Sequence, residues 1–176
     1  AILLPLVMIG HEMSHYLVAR WLGLSPHFAY DMNQFSVAPP ATVPASAPCF
    51  HLLLGLVGAV WIRRLSDAHQ KPFTIWIASV LCLAGCHSLS HMIGFALNRG
   101  KVGHIDEHKV ALAMGLSAWG LHIVLWPVAL GFLVWVVRFH WRRGTSLPLL
   151  TGFSAGIVSL FAYFYLWGPL VFPHRP

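Results

Sequence analysis

Charged side chains are scarce in this sequence. They make up 9% of the 176 residues, whereas hydrophobic residues make up 57%, and the mean hydropathy is +0.70. A soluble domain of this size could not build a solvated surface from so few charges. We therefore expect an integral, multi-pass membrane protein whose natural surroundings are a lipid bilayer.

Cysteine is also rare, and its three positions give an odd count without a Cys-x-x-Cys spacing. This pattern argues against both a disulfide framework and a thiolate zinc site. The net charge is +6, but the basic residues stand in short clusters at the ends of apolar segments, as membrane-interface anchors do. We therefore expect no nucleic-acid partner. The first residues lack a basic leading region and a small-residue cleavage site, so we also expect no signal peptide.

The apolar segments predict an all-α fold, a polytopic membrane bundle of about five transmembrane helices in a single domain over residues 1–176. The stretch from His27 to Pro48 contains four prolines and predicts a loop. A connector is expected from Arg99 to His108, where two glycines accompany four ionisable side chains within five residues. The predicted helices run over about 1–24, 49–62, 72–98, 109–137 and 147–172.

A His-Glu-x-x-His motif, formed by His11, Glu12 and His15, lies inside the first apolar segment. Residues four apart project from the same face of a helix, so both histidines can present a ring nitrogen to one metal ion, with Glu12 beside the reacting water. The spacing therefore predicts a zinc site. A catalytic zinc ion needs a third protein ligand. Asp106 is the first candidate, and the competitors are Glu107 and the histidines His87, His91, His104 and His108.

The residues around this motif resemble the signature helix of the site-2 protease family, which are intramembrane zinc metalloproteases. In that family the motif is followed by aliphatic residues, an alanine, a basic residue and a glycine; here residues 9–24 follow that order. The family has a second motif, an Asn eight positions before an Asp-Gly, with prolines between them. Asn98 precedes Asp106 by that spacing, although Glu107 stands at the glycine position and glycines replace the prolines.

This resemblance implies a zinc metalloendopeptidase that cleaves a transmembrane protein substrate. It implies that His11, His15 and Asp106 bind Zn²⁺ and that Glu12 is the general base towards the attacking water. It further implies that Asn98 donates a hydrogen bond to the oxyanion or holds the substrate strand. The substrate would be a membrane helix that must unwind locally, because a helical backbone hides its carbonyl groups from attack.

Two other interpretations remain open at this point. Three His-x-x-x-His pairs in a small membrane protein are also typical of membrane di-iron hydroxylases and desaturases, although those enzymes do not require a Glu after the first His. A non-enzymatic metal or haem carrier would likewise not require Glu12. Four further histidines lie at predicted helix ends or in loops, where interfacial histidine is common, and we expect no ligand role for them: His51, His69, His140 and His174.

Overall fold

The computed structural model describes residues 3–29, 33–35, 38–65, 72–89 and 105–172. These residues are predominantly helical, in agreement with the predicted all-α class. The helices are α1 (Leu3–Trp21), α2 (Thr42–Arg64), α3 (Pro72–Ala84), α4 (Asp106–Ala113), α5 (His122–Arg142), α6 (Ser146–Ala162) and α7 (Gly168–Val171). The antiparallel strands β1 (His27–Phe28) and β2 (Asn33–Gln34) pair His27 with Gln34 and Phe28 with Asn33.

Helix α1 ends at Trp21, three residues before the predicted end near residue 24. Gly23 has a φ of 78°, a conformation that side chains with a Cβ rarely adopt. The Leu24 amide donates to the carbonyl of Ala19, and the Gly23 amide donates to that of Arg20. These two bonds are the Schellman pattern, which satisfies the last helical carbonyls.

Helix α2 begins at Thr42, seven residues before the predicted Cys49, so the expected loop over 27–48 is wrong for its last part. Pro44 lies in the first turn, where a missing amide hydrogen costs little. Pro48 lies inside the helix and removes one backbone hydrogen bond. The helix tolerates both prolines, and burial of Val43 and Ala47 holds this first part against its neighbours.

Two further predicted helices differ from the structure. The helix predicted over 72–98 is interrupted after Ala84, where turns through Gly85 lead to a helical turn at 87–89. The remainder of that prediction, residues 90–98, lies outside the described residues. The helix predicted over 109–137 is two helices, α4 and α5. They are separated because Gly115 has a φ of 73° and forms a second Schellman end. The last residues of the predicted connector, Asp106 to His108, form the first turn of α4.

The last predicted helix is close to the observed one. Helix α6 continues through a π-helical turn, Tyr163–Trp167, into α7. The run from Ser146 to Val171 is long and apolar enough to cross a membrane, as are α2 and α5. Among the described residues these are the three candidate spans; α1 is not one of them, and α3 is shorter. The prediction of about five spans is therefore supported for three.

The chain divides into two compact units. The first comprises Ala1–Phe50 and Leu147–Pro176, and the second comprises His51–Ser146, so the boundary falls within α2. In the first unit, Gly10 of α1 lies against the Phe50 ring of α2, where an added Cβ would meet the ring at 2.6 Å. In the second unit, Gly58 of α2 lies against the backbone of α3 at Cys82. Small residues at such contacts allow membrane helices to approach closely.

Candidate metal centre

The His-Glu-x-x-His motif lies on the buried face of α1. His11, Glu12 and His15 are 8%, 4% and 6% exposed. The two imidazole rings are 5.0 Å apart between centroids and nearly perpendicular, at 89°. Each ring offers a nitrogen, and these nitrogens lie within 4.8 Å of one another. The first unit thus brings together the two histidines in an arrangement that one metal ion can bridge.

His15 is held by the first turns of α2. Its Nδ1 atom is 2.7 Å from the carbonyl oxygen of Val43 and 3.1 Å from the hydroxyl of Ser46. Because a carbonyl can only accept, Nδ1 carries the proton and donates it, which leaves Nε2 as the ring nitrogen with a lone pair. Ligand histidines in metal sites almost always make a hydrogen bond of this kind with their other nitrogen. The site therefore fits a metal with imidazole ligands.

Sequence reasoning missed Val43 and Ser46 as parts of the site. Both lie in the stretch that its prolines marked as a loop, and the backbone carbonyl of Val43 has no side-chain signature. The one available indication was Ser46 itself, a hydroxyl residue just before an apolar run.

Glu12 follows His11 directly on α1. Its Oε1 atom is 3.7 Å from Nε2 of His11, which is too long for a hydrogen bond but close enough for electrostatic attraction to a protonated ring. A buried carboxylate is costly unless a positive charge, a metal or hydrogen bonds compensate it. The position of Glu12 beside the histidine pair suits a base that takes a proton from water.

A second histidine pair lies in the second unit. The rings of His51 and His87 are stacked, with centroids 4.1 Å apart and an angle of 12° between their planes. His51 Nδ1 is 3.1 Å from the carbonyl of Ala84 and donates to it, as His15 does to Val43. His51 is 4% exposed and lies in the middle of α2, so its expected place at a helix end is wrong. The burial of this residue could not be read from its place near a predicted helix end.

Asp106 lies in the first turn of α4 and pairs with Lys109, with Oδ1 and Nζ 3.3 Å apart. Its neighbours Glu107 and His108 are buried. The ring of His108 makes edge contacts with Trp119, at 4.6 Å, and with His122, at 5.1 Å. Aromatic rings therefore form part of the surroundings of His108.

Histidine and aspartate side chains of the described residues, several of them buried, could hold a metal ion. They are His11 and His15 in the first unit and His51, His87 and Asp106 in the second. Three predicted site residues, His91, Asn98 and His104, lie outside the described residues. Comparisons with protein-family models, with curated proteins and with solved structures gave no match.

Proposed function

We propose that this protein is a zinc metalloprotease that hydrolyses a peptide bond in or near a transmembrane segment of a protein substrate, as members of the site-2 protease family do. The observation that carries the proposal is the geometry of α1. The buried imidazoles of His11 and His15 lie one helical turn apart, with the buried carboxylate of Glu12 beside them, and a hydrogen bond from Nδ1 orients the ring of His15. The three candidate spans support a substrate that also resides in the membrane.

In this proposal His11 and His15 hold the metal, and Glu12 is the base. A bound zinc ion would act as a Lewis acid that polarises a carbonyl group and makes water more acidic. Glu12 would accept the proton of the attacking water and then return it to the leaving amine. Burial of the three residues would exclude bulk water and strengthen the electrostatic interactions among them.

We propose Asp106 as the third protein ligand. It is one of the described side chains suited to hold a metal, and a carboxylate is an ordinary third ligand beside two histidines. Its ion pair with Lys109 is no strong competitor, because the lysine side chain is 48% exposed. Exposed pairs of this kind contribute only about 0–1 kcal/mol, so the pair could be exchanged for a metal at small cost.

The role of Asn98 remains the one that the family resemblance implies, a hydrogen bond to the oxyanion or to the substrate strand. The same proposal includes an architecture of about five membrane spans that form a single catalytic domain over residues 1–176. The two spans beyond the three candidates would include α1, since a site on α1 at membrane depth would meet the substrate within the bilayer.

The first experiment combines metal analysis with peptide cleavage. Purified protein should contain zinc in an equimolar amount and cleave a fluorogenic transmembrane peptide, interrupted by a Gly-Pro step, in liposomes. Glu12→Gln should keep the zinc and lose at least about 100-fold in cleavage rate, because general-base catalysis contributes that much or more. His11→Ala should lose both zinc and cleavage.

Three results would contradict the proposal. They are undiminished cleavage by Glu12→Gln, absence of cleavage by zinc-loaded wild-type protein, and iron in place of zinc together with an oxygen-dependent activity. The last of these would favour the di-iron interpretation.

The third ligand has its own test. Asp106→Ala should lower the zinc content, whereas Lys109→Ala, which removes the same ion pair but keeps the carboxylate, should not. Unchanged zinc in Asp106→Ala together with zinc loss in His87→Ala would show that His87 is the ligand instead.

A further inference from the structure

We propose that Ser46 is a positioning residue of the metal site, which holds His15 in the tautomer that binds metal. The inference rests on the proposed function in one respect, that His15 is a metal ligand. It assigns a role to the first turns of α2, which the family resemblance on α1 does not cover.

The hydrogen bonds around His15 form a closed triangle. His15 Nδ1 is 2.7 Å from the Val43 carbonyl and 3.1 Å from the Ser46 hydroxyl, and that hydroxyl donates to the same carbonyl over 2.7 Å. Ser46 has one hydroxyl proton, and the carbonyl engages it. The hydroxyl therefore presents lone pairs to the imidazole, so both neighbours of Nδ1 are acceptors.

Only one tautomer of neutral His15 satisfies this triangle. With the proton on Nδ1, the ring donates to both oxygens and Nε2 keeps its lone pair for a metal. With the proton on Nε2, the Nδ1 lone pair would face the carbonyl oxygen of Val43 at 2.7 Å, which is repulsive. With its own proton engaged by the Val43 carbonyl, the Ser46 hydroxyl accepts a second hydrogen bond from Nδ1 and thereby adds to the preference for the binding tautomer that the carbonyl sets.

Ser46 also contacts the turn that carries the other histidine. Its hydroxyl oxygen is 3.3 Å from that of Ser14, which donates to the backbone carbonyl of His11 over 2.7 Å. Ser14 touches no histidine ring in these bonds. It is therefore a matched control, a neighbouring hydroxyl whose hydrogen bond goes to a backbone carbonyl rather than to a histidine ring.

The test measures zinc affinity by competition with a chromophoric chelator in detergent-solubilised full-length protein. Ser46→Ala should weaken zinc binding by about 10-fold, at the lower end of the 10- to 100-fold loss typical when an outer partner of a ligand histidine is removed, because the Val43 carbonyl remains. Ser46→Thr, which keeps the hydroxyl, should restore most of the affinity. Ser14→Ala should bind zinc like the wild type.

A spectroscopic measurement separates positioning from general destabilisation. In metal-free protein labelled with ¹⁵N-histidine, the His15 nitrogens should report protonated Nδ1 in the wild type and in Ser14→Ala. Ser46→Ala should show a larger population of the other tautomer than the wild type does, although Nδ1–H should still predominate because the Val43 carbonyl remains.

Wild-type zinc affinity together with an unchanged tautomer in Ser46→Ala would overturn the inference. If instead His11→Ala also left the zinc affinity unchanged, the failure would lie with the proposed metal site itself.

Discussion

The close approach of α1 and α2 at Gly10 can be tested with one methyl group. A Cβ at this position would lie 2.6 Å from Cζ and 3.0 Å from Cε1 of the Phe50 ring. Carbon atoms in favourable contact are about 3.5–4.0 Å apart, so the methyl group would overlap the ring by about 1 Å. Overpacking of this size typically costs about 1–3 kcal/mol.

A second effect of Gly10→Ala opposes the first. Alanine favours a helix over glycine by about 1 kcal/mol, so the net destabilisation should be roughly 0–2 kcal/mol. Gly131→Ala isolates the favourable term, because Gly131 is exposed on α5 and an added Cβ there meets nothing within 4 Å. The difference between the two variants should therefore be about 1–3 kcal/mol.

The assay is denaturant unfolding in micelles, followed by tryptophan fluorescence. Phe50→Leu should recover part of the loss in the Gly10→Ala background by removing the ring that the methyl group meets. Gly10→Ala should also weaken zinc binding more than Gly131→Ala does, since α2 carries the groups that hold His15. Equal free energies of unfolding for Gly10→Ala and Gly131→Ala would refute the reasoning.

Two further predictions concern the second unit. Gly58→Ala should cost more than Gly10→Ala, roughly 3 kcal/mol or more, because the added Cβ would overlap the backbone nitrogen of Cys82, and a backbone cannot shift as a ring can. A milder loss than in Gly10→Ala, in the same unfolding assay, would contradict this. Ser79→Ala should cost about 1–3 kcal/mol, because it removes the hydroxyl 2.7 Å from Nε2 of buried His140. The control is Thr151→Ala, which removes an exposed hydroxyl bonded within its own helix and should change the free energy of unfolding by less than about 0.5 kcal/mol. Equal effects of Ser79→Ala and Thr151→Ala would show that the Ser79–His140 contact is not a stabilising one.

Local rules predicted some helix ends and not others. Gly23 closes α1 within three residues of the predicted end, since a left-handed residue after an apolar run ends a helix in most contexts. Gly115 does the same after α4, but its position inside a long apolar stretch concealed the break. Pro44 and Pro48 led to the wrong prediction of a loop where the structure has a helix. A proline in the first turn or at a single interior position is compatible with a helix when the adjacent residues, here Val43 and Ala47, are buried.

What the sequence determined by itself is the pattern of chemistry along the chain. The apolar composition favours a membrane environment, and the four-residue spacing of His11 and His15 places both side chains on one helical face once that segment is helical. Such properties depend on neighbours in the chain, so they can be read without a structure. Only the tertiary structure decided which groups surround those side chains. The Val43 carbonyl and the Ser46 hydroxyl reach His15 from about thirty residues away, and His51 is buried against His87 although its sequence position indicates an interface. Hydrogen bonds and packing of this kind form between segments distant in the chain, and their partners carry no local mark in the sequence.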